Sequence, residues 1–358
     1  MDSVWVVLVP SLSPKTAPIF EIDPVGEVLI VVPPPSSDSG QPATLYHHDG
    51  IRIKVSAKHL CMASPVFKAK LSHFHPSTAT QPDGRIHLRL ATGLDPKAVY
   101  LVFSALHPGL PTRRLPKQLD SIETLAQVAV VVDRLGLLDS VEVYAERWIN
   151  RLWKGAVGKY SSDWALWVYV ASVFGREDIF EAASRKVIEE HSGGANFEEL
   201  FSSLDLPLHI DVIRTLETRH IKLLTNAVNV VNTLMNQLML VDSNCLCGTS
   251  LLGTLVTALS KTGLLKFHTH EGSQKHFNTS YADFSAAIQE STAKFGSWRP
   301  IVPTSVKTNP LGINGINGKL PTPASSPHWE HGDTGFDFPE HTCVVDELIG
   351  KLMPVFAR

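Results

Sequence analysis

The fold is decided by residues 55–67, which read Val-Ser-Ala-Lys-His-Leu-Cys-Met-Ala-Ser-Pro-Val-Phe. They begin where residues 51–55 alternate between apolar and charged side chains, a pattern typical of a half-buried strand. They then reach Ser64 and Pro65, which suit a helix start. Serine accepts hydrogen bonds from the first backbone N–H groups, and proline favours the first helical position. The stretch therefore predicts a strand that leads into helices, and it places Phe67 in a helix.

Two further segments have strand patterns. Residues 28–32 are a continuous run of valine, leucine and isoleucine, which favours a buried strand. Residues 86–90 alternate again, directly after the turn signal Asp83-Gly84. We expect these two segments and residues 51–55 to share one sheet, packed against the helices that contain Phe67, Leu101 and Leu125. The predicted fold class is α+β.

Capping residues mark helix boundaries farther along the chain. Asp95 with Pro96 predicts a second helix start of the same kind as Ser64-Pro65. Asp120 with Glu123 resembles a capping box, and Gly136 supplies the stop of that helix. The helices that follow the strands are therefore expected to cover a small sheet.

Beyond residue 153 the pattern is largely helical. The apolar run Trp164–Phe174 is about half as long as a bilayer span, so we interpret it as a buried core helix. Residues 207–241 form a long helical pattern with His220 in its apolar stripe, and residues 251–265 form another that ends near Gly263. We expect five parts: an N-terminal segment 1–18, an α+β domain 19–153, a helical extension 154–298, a flexible linker 299–340 and a C-terminal helix 341–358.

The composition excludes several classes of protein. The 358 residues include 35 acidic and 32 basic ones, so a broad basic surface for nucleic acid is not expected. Four cysteines do not make a disulfide framework, which places the chain inside the cell, in the nucleus or the cytoplasm. The apolar run of residues 4–9 is short and follows Asp2, so it is a poor signal peptide, and no membrane partner is expected.

The stretch that decides the fold also resembles a known family. Residues 55–67 resemble the first helical hairpin of a BTB/POZ domain, with a strand valine, a leucine five residues on, and then Ala-Ser-Pro-Val-Phe. Further segments resemble the opening and the closing helix of the fungal branch of this family: Phe20–Pro24, Gly26–Val32, Ala145–Trp148 and Trp153. The resemblance covers residues 19–153. It continues more loosely to the Cys245 region, which resembles the helical extension of the fungal proteins.

A BTB domain is a protein-interaction module, so the resemblance implies a non-enzymatic protein that forms a homodimer or acts as an adaptor for protein partners. Members that dock a cullin ubiquitin-ligase scaffold often carry an acidic residue just past the second helix. Residues 71–77 contain no carboxylate, which counts against cullin docking and leaves self-association or another adaptor role. We expect residues 4–9 to form a strand that pairs with a sheet edge, either its own or a second subunit's. The candidate interaction residues are Trp5, Val7, Phe74 and His75.

The C-terminal half offers two alternatives. Three cysteines and one histidine match a structural zinc site of the Cys3His type: Cys245, Cys247, His341 and Cys343. The alternative is that these cysteines are free, partly buried thiols. No other cofactor is expected. The function also has an alternative: the chain could be an enzyme that uses the histidines of this half instead of an interaction module. Its candidate residues lie in a polar loop: His268, His270, Glu271 and His276. The sequence has no Gly-x-Ser-x-Gly elbow and no His-Glu-x-x-His helix, which favours the interaction module.

Overall fold

The structure of the chain is a computed structural model. The described residues are 6–8, 19–33, 51–72, 81, 83–107, 115–117, 119–156, 163–192, 196–240, 246–264 and 279–297. They fall into two compact units. The first ends at His220 and the second begins at Ile221, with the short segment Ser192–Gly194 assigned to the second. The predicted linker 299–340 and C-terminal helix 341–358 lie outside the described residues.

The first unit contains a five-stranded sheet, and the fold is mixed α+β as predicted. Its strands are β1 (Val6–Leu8), β2 (Ile19–Glu21), β3 (Val28–Val32), β4 (Ile51–Val55) and β5 (Ile86–Leu90). The order across the sheet is β1-β5-β3-β4-β2. β3 runs antiparallel to β4 and parallel to β5, β1 is antiparallel to β5, and β2 is parallel to β4. The three strands that the sequence predicts are therefore confirmed in one sheet.

The position of each strand follows from its side chains. β3 is the central strand, and all five of its residues are buried, which is why a continuous β-branched and aliphatic run suits it. β1 is the predicted N-terminal strand, and it pairs with the edge of its own sheet, with Val7 opposite Arg89. β2 lies at the other end of the sheet, with Phe20 opposite Ile53.

Eight helices of the described chain lie wholly within the first unit. They are α1 (Ala57–Ala63), α2 (Pro65–Ser72), α3 (Pro96–Leu106), α4 (Ile122–Leu135), α5 (Leu138–Ala156), α6 (Trp164–Val173), α7 (Glu177–Glu190) and α8 (Phe197–Ser203). Phe67, Leu101 and Leu125 are all buried, as the sequence predicts. The Phe67 and Phe103 rings lie 5.9 Å apart, so α2 packs directly against α3.

The structure confirms the predicted helix ends at Asp95 and Gly136 and corrects the one at Asp120. Asp95 caps α3 by accepting a hydrogen bond from the Ala98 N–H at 2.7 Å. Gly136 ends α4 at a φ of 60°, which glycine adopts at little cost. The cap of α4, however, is Ser121 rather than Asp120, since the Ser121 hydroxyl accepts from the Thr124 N–H at 3.3 Å. The Asp120 carboxylate instead lies 3.5 Å from Lys97 Nζ.

The run of apolar residues that begins at Trp164 forms α6, whose first eight residues are all buried. It packs against α4 and α7, and it is a core helix, as the sequence predicts, because eight consecutive buried residues leave no polar face. None of the helices in the described part of the chain combines the length and the apolar character that a membrane crossing requires.

The second unit is helical in its described residues. It contains the later part of α9 (Ile210–Leu240), together with α10 (Leu246–Lys261) and α11 (Tyr281–Ser297). A single apolar core joins them, with Leu224, Val231, Leu255 and Phe284 among its most buried side chains. α10 begins five residues earlier than residues 251–265 suggest, and α11 was not predicted. Its start is marked by a Ser280 hydroxyl that accepts from the Asp283 N–H at 2.9 Å.

Candidate functional site

Most of the residues that the sequence singles out lie outside the described residues. This is the case for the interaction candidates Trp5, Phe74 and His75, and for the metal candidates Cys245, His341 and Cys343. Val7 lies in the middle of β1 and Cys247 lies in the first turn of α10, but only their backbone is described. Both sets therefore stay predictions, as does the alternative enzyme site at His268, His270, Glu271 and His276, which also lies outside.

The structure brings together three residues that the sequence analysis did not connect. We call Asp23, His59 and His107 the His–Asp cluster. One ligand-capable oxygen or nitrogen atom of each lies within 4.8 Å of those of the other two. Asp23 follows β2, His59 lies on α1, and His107 comes directly after α3. β2 and α1 both meet β4 at its C-terminal end, and His107 is hydrogen-bonded to Ser56 just past that end, so the three residues converge there.

Asp23 is held at this place by backbone contacts. Its N–H donates to the Lys54 carbonyl oxygen at 3.1 Å, so the chain stays beside β4 after β2 ends. Its carboxylate oxygen Oδ1 accepts from the Val25 N–H at 3.0 Å. The turn then passes so close to β4 that a Cβ on Gly26 would lie 2.6 Å from the Val55 carbonyl carbon. Only glycine fits there without a shift of the backbone.

His107 is buried and its ring is oriented by two backbone groups. Nδ1 donates to the Phe103 carbonyl oxygen at 2.8 Å, and Nε2 accepts from the Ser56 N–H at 3.2 Å. The proton is therefore on Nδ1 and the lone pair is on Nε2. Burial lowers the pKa of His107 from its ordinary value, while the Phe103 carbonyl raises it, His59 lowers it and Asp23 raises it by smaller amounts.

His59 connects the cluster to solvent. Its ring centroid lies 4.7 Å from that of His107, with 48° between the planes, and it is the most exposed residue of the three. The cluster thus has a fixed, buried side at His107 and an open side at His59. Two imidazoles and a carboxylate can accept hydrogen bonds, exchange protons or bind a metal ion.

A second feature lies next to the cluster in the chain. We call residues 19–25, which comprise β2 and the turn after it, the edge segment. Its large apolar side chains are exposed: Ile19 by 45%, Phe20 by 38% and Val25 by 87%. The Phe20 ring lies 5.5 Å from that of Tyr100 on α3, so it rests on this helix while part of it stays exposed. Among the described strands, β2 has a neighbour on one side only, which leaves backbone groups facing outward.

Sequence reasoning missed the edge segment because Ile19, Phe20 and Ile22 look like core residues. Only Ile22 is buried. The signal that could have pointed to the surface is Glu21, whose charge in the middle of this apolar run suits an edge strand. In the structure Glu21 pairs with Lys54 across the β2–β4 ladder at 3.6 Å.

Comparisons with known proteins leave both features without an assigned role. No family model, no curated protein and no solved structure matches the chain.

Proposed function

We propose that this chain is a non-enzymatic protein-interaction module of the BTB/POZ type, which acts by self-association or as an adaptor. The observation that carries the proposal is the edge segment, where Ile19, Phe20 and Val25 are exposed beside the outward-facing backbone of an edge strand. A protein strand that pairs with β2 satisfies that backbone and covers these side chains at the same time. We place the activity inside the cell, in the nucleus or the cytoplasm, because of the cysteine content.

The residues that resemble the family have structural roles that support the proposal. Val55 ends β4, and Leu60 and Phe67 anchor α1 and α2 with no exposed surface. Ser64 accepts hydrogen bonds from the Val66 and Phe67 N–H groups at 3.1 and 3.3 Å, so the Ser-Pro pair starts α2. The motif thus builds a strand followed by two short helices, an arrangement that supports the proposal.

The energetics favour a second copy of the same chain as the partner of the edge segment. Burying an apolar side chain of this size contributes about 1.5–3 kcal/mol, and Ile19 and Phe20 are already more than half buried. Association costs roughly 4–15 kcal/mol in lost freedom. The free energy gained by burying one edge segment is therefore too small to offset the cost of association. Two copies related by a two-fold axis double the apolar area and add backbone hydrogen bonds, which brings the gain into the range of that cost.

Sedimentation velocity of the full chain over the micromolar range tests this proposal. The test variant carries Ile19→Asp and Val25→Asp, two exposed positions whose change leaves the core intact. Its matched control is Val143→Asp, at a residue on α5 that is 71% exposed. We expect the parent and the control to self-associate and the double variant to be monomeric.

Affinity capture from a cell extract with the same three proteins tests the adaptor role. We expect the parent and the control to retain the same partners and the double variant to lose them. Equal self-association and equal capture by all three proteins would show that the edge segment is not the interaction surface. A parent that neither self-associates nor retains a partner would contradict the proposed function itself.

A further inference from the structure

We propose that the His–Asp cluster of Asp23, His59 and His107 is a binding site for a divalent transition metal ion of the zinc type. The cluster offers two imidazole nitrogens and one carboxylate oxygen, and these ligand atoms lie within 4.8 Å of one another. Three protein ligands of this composition, with one position left for water, are a known zinc arrangement.

The donor set selects the class of metal. Magnesium and calcium prefer shells made of oxygen atoms, and two imidazoles do not supply them. Imidazole suits zinc, copper, iron and nickel, and the single carboxylate is compatible with each of them. Zinc is the appropriate probe because it accepts a tetrahedral site without a geometric preference of its own.

The geometry requires only a small closure around the ion. Ligand atoms about 2.1 Å from a tetrahedral ion are about 3.4 Å apart, so from separations of 4.8 Å at most they must approach by no more than about 1.4 Å. His107 is fixed, whereas His59 is an exposed residue of a short helix and can rotate about its side-chain bonds. His59 is therefore the ligand that closes the site.

The surroundings of His107 match those of a metal-bound histidine. A ligating histidine usually donates its other ring N–H to a carbonyl or a carboxylate, which fixes the tautomer and the ring orientation. His107 Nδ1 donates to the Phe103 carbonyl oxygen at 2.8 Å, so Nε2 is the nitrogen with the available lone pair. Without the ion this lone pair accepts the Ser56 N–H at 3.2 Å, so binding requires the ion to displace that hydrogen bond. The Ser56 N–H has no helical partner at the start of α1, so the displaced donor needs a water molecule as its new acceptor.

A metal ion at this place joins three parts of the first unit that are distant in the chain. Asp23 belongs to the turn after β2, His59 to α1, and His107 to the end of α3. Since ligand binding to the folded state alone stabilises it, zinc is expected to raise the melting temperature of the metal-free chain.

Isothermal titration of the full chain with zinc, after treatment with a chelator and its removal, tests the site. The chain also carries the Cys245, Cys247, His341 and Cys343 set, so the titration uses a parent in which Cys245 and Cys343 are replaced by serine. In that background His59→Ala and Asp23→Asn each remove one ligand from a residue outside the core. Asp23→Asn keeps the oxygen that accepts the Val25 N–H. The matched control is His209→Ala, at an exposed histidine 3.4 Å from Asp211.

We expect about one zinc ion per chain for the parent and for the His209→Ala control, with a raised melting temperature in both. We expect His59→Ala and Asp23→Asn to bind roughly tenfold more weakly or worse, with the rise in melting temperature reduced accordingly. Cobalt bound in the same background should show no thiolate charge-transfer absorption, because all of its ligands are nitrogen or oxygen. A folded parent that does not bind zinc, or equal binding by the parent and both ligand variants, would overturn the proposal.

Discussion

The hydroxyl of Ser64 donates a hydrogen bond of 2.5 Å to the carbonyl oxygen of Leu135, a residue 71 positions later in the chain. The same oxygen accepts from the first backbone N–H groups of α2. Ser64 is fully buried, so it both starts α2 and ties that start to the end of α4. The residue after Leu135 is Gly136, and a Cβ on Gly136 would lie 3.6 Å from the ring of Pro65. The Ser-Pro pair is therefore a tertiary contact as well as a helix cap.

Replacement of Ser64 by alanine is expected to lower the free energy of unfolding by about 2–4 kcal/mol. About 1 kcal/mol comes from the lost helix cap, and the rest comes from a buried Leu135 carbonyl that loses its donor. Urea unfolding followed by tryptophan fluorescence measures the change. The control is Ser72→Ala, since the Ser72 hydroxyl only bonds Ala69 on the exposed end of α2 and its loss should cost less than about 0.5 kcal/mol. A Ser64 variant as stable as this control would show that the buried contact contributes little.

Replacement of Phe67 by alanine is expected to cost roughly 3–5 kcal/mol. The side chain has no exposed surface and packs on Phe103, so its removal leaves a cavity between α2 and α3. Met62→Ala on the neighbouring helix is the control, because Met62 is exposed and its loss leaves no cavity. Equal urea midpoints for the two variants would mean that Phe67 is not a core residue in solution.

Replacement of Gly26 by alanine is expected to destabilise the first unit by about 3 kcal/mol. The new methyl group overlaps the backbone of Val55, and a backbone group in the middle of a sheet cannot move aside as a flexible side chain can. Gly155→Ala is the control, since a Cβ at Gly155 on α5 meets nothing within 4 Å. That change should be neutral or stabilising by up to about 1 kcal/mol. Thermal unfolding of the two variants side by side decides whether the turn lies as close to β4 as the structure indicates.

Local sequence patterns predict most of the central strands and several helix starts of the first unit. Strands β3, β4 and β5 follow from runs and alternation, and the starts of α2 and α3 follow from Ser64-Pro65 and Asp95-Pro96. The start of α4 was placed one residue early, because Asp120 and Ser121 are both good capping residues and only the backbone conformation distinguishes them. α11 was missed although Ser280 and Asp283 mark its start.

The two candidate sites could not be predicted in this way, because they depend on the order of the strands. The edge segment is exposed since β2 is the last strand of the sheet, and an apolar Ile-Phe pair carries no sign of that position. Asp23, His59 and His107 are distant in the chain and meet because β2, α1 and the end of α3 all lie at the C-terminal end of β4. Long-range pairing of this kind is decided by the whole core rather than by any short pattern.

Removal of residues 1–10 is expected to increase amide exchange in β5. β1 pairs with β5 from Val6 opposite Leu90 to Leu8 opposite Leu88, so its loss exposes a new sheet edge. Hydrogen exchange of the parent and the truncated chain measures this, with the β3–β4 pair as the internal control. Unchanged exchange in β5 would contradict the pairing. If the truncation also abolishes self-association, the interface lies at β1 instead of the edge segment.

Stability is expected to fall in acid because of His220. His220 is buried on α9, its Nδ1 donates to the Ile188 carbonyl oxygen at 2.8 Å, and its ring contacts those of His191 and Phe197. Burial lowers the pKa of His220 in the folded state, and His191 lowers it further against the opposing effects of the Ile188 carbonyl and Glu217. The unfolded chain therefore takes up the proton more readily than the folded chain does.

The free energy of unfolding decreases in acid because the pKa of His220 is lower in the folded state than in the unfolded state. Above about pH 6.5, the ordinary histidine value, His220 is neutral in both states and its contribution to stability is complete. As the pH falls below that value the unfolded state gains the proton first, so the free energy of unfolding decreases until the pH passes below the lowered pKa of the folded state.

His220→Asn keeps a donor for the Ile188 carbonyl but does not titrate. Urea midpoints measured from about pH 8 to about pH 5 should therefore fall less steeply for this variant than for the parent. His209→Asn, at an exposed position, should follow the parent, and a His220→Asn variant with the parent's pH dependence would show that the His220 charge is accommodated in the folded chain.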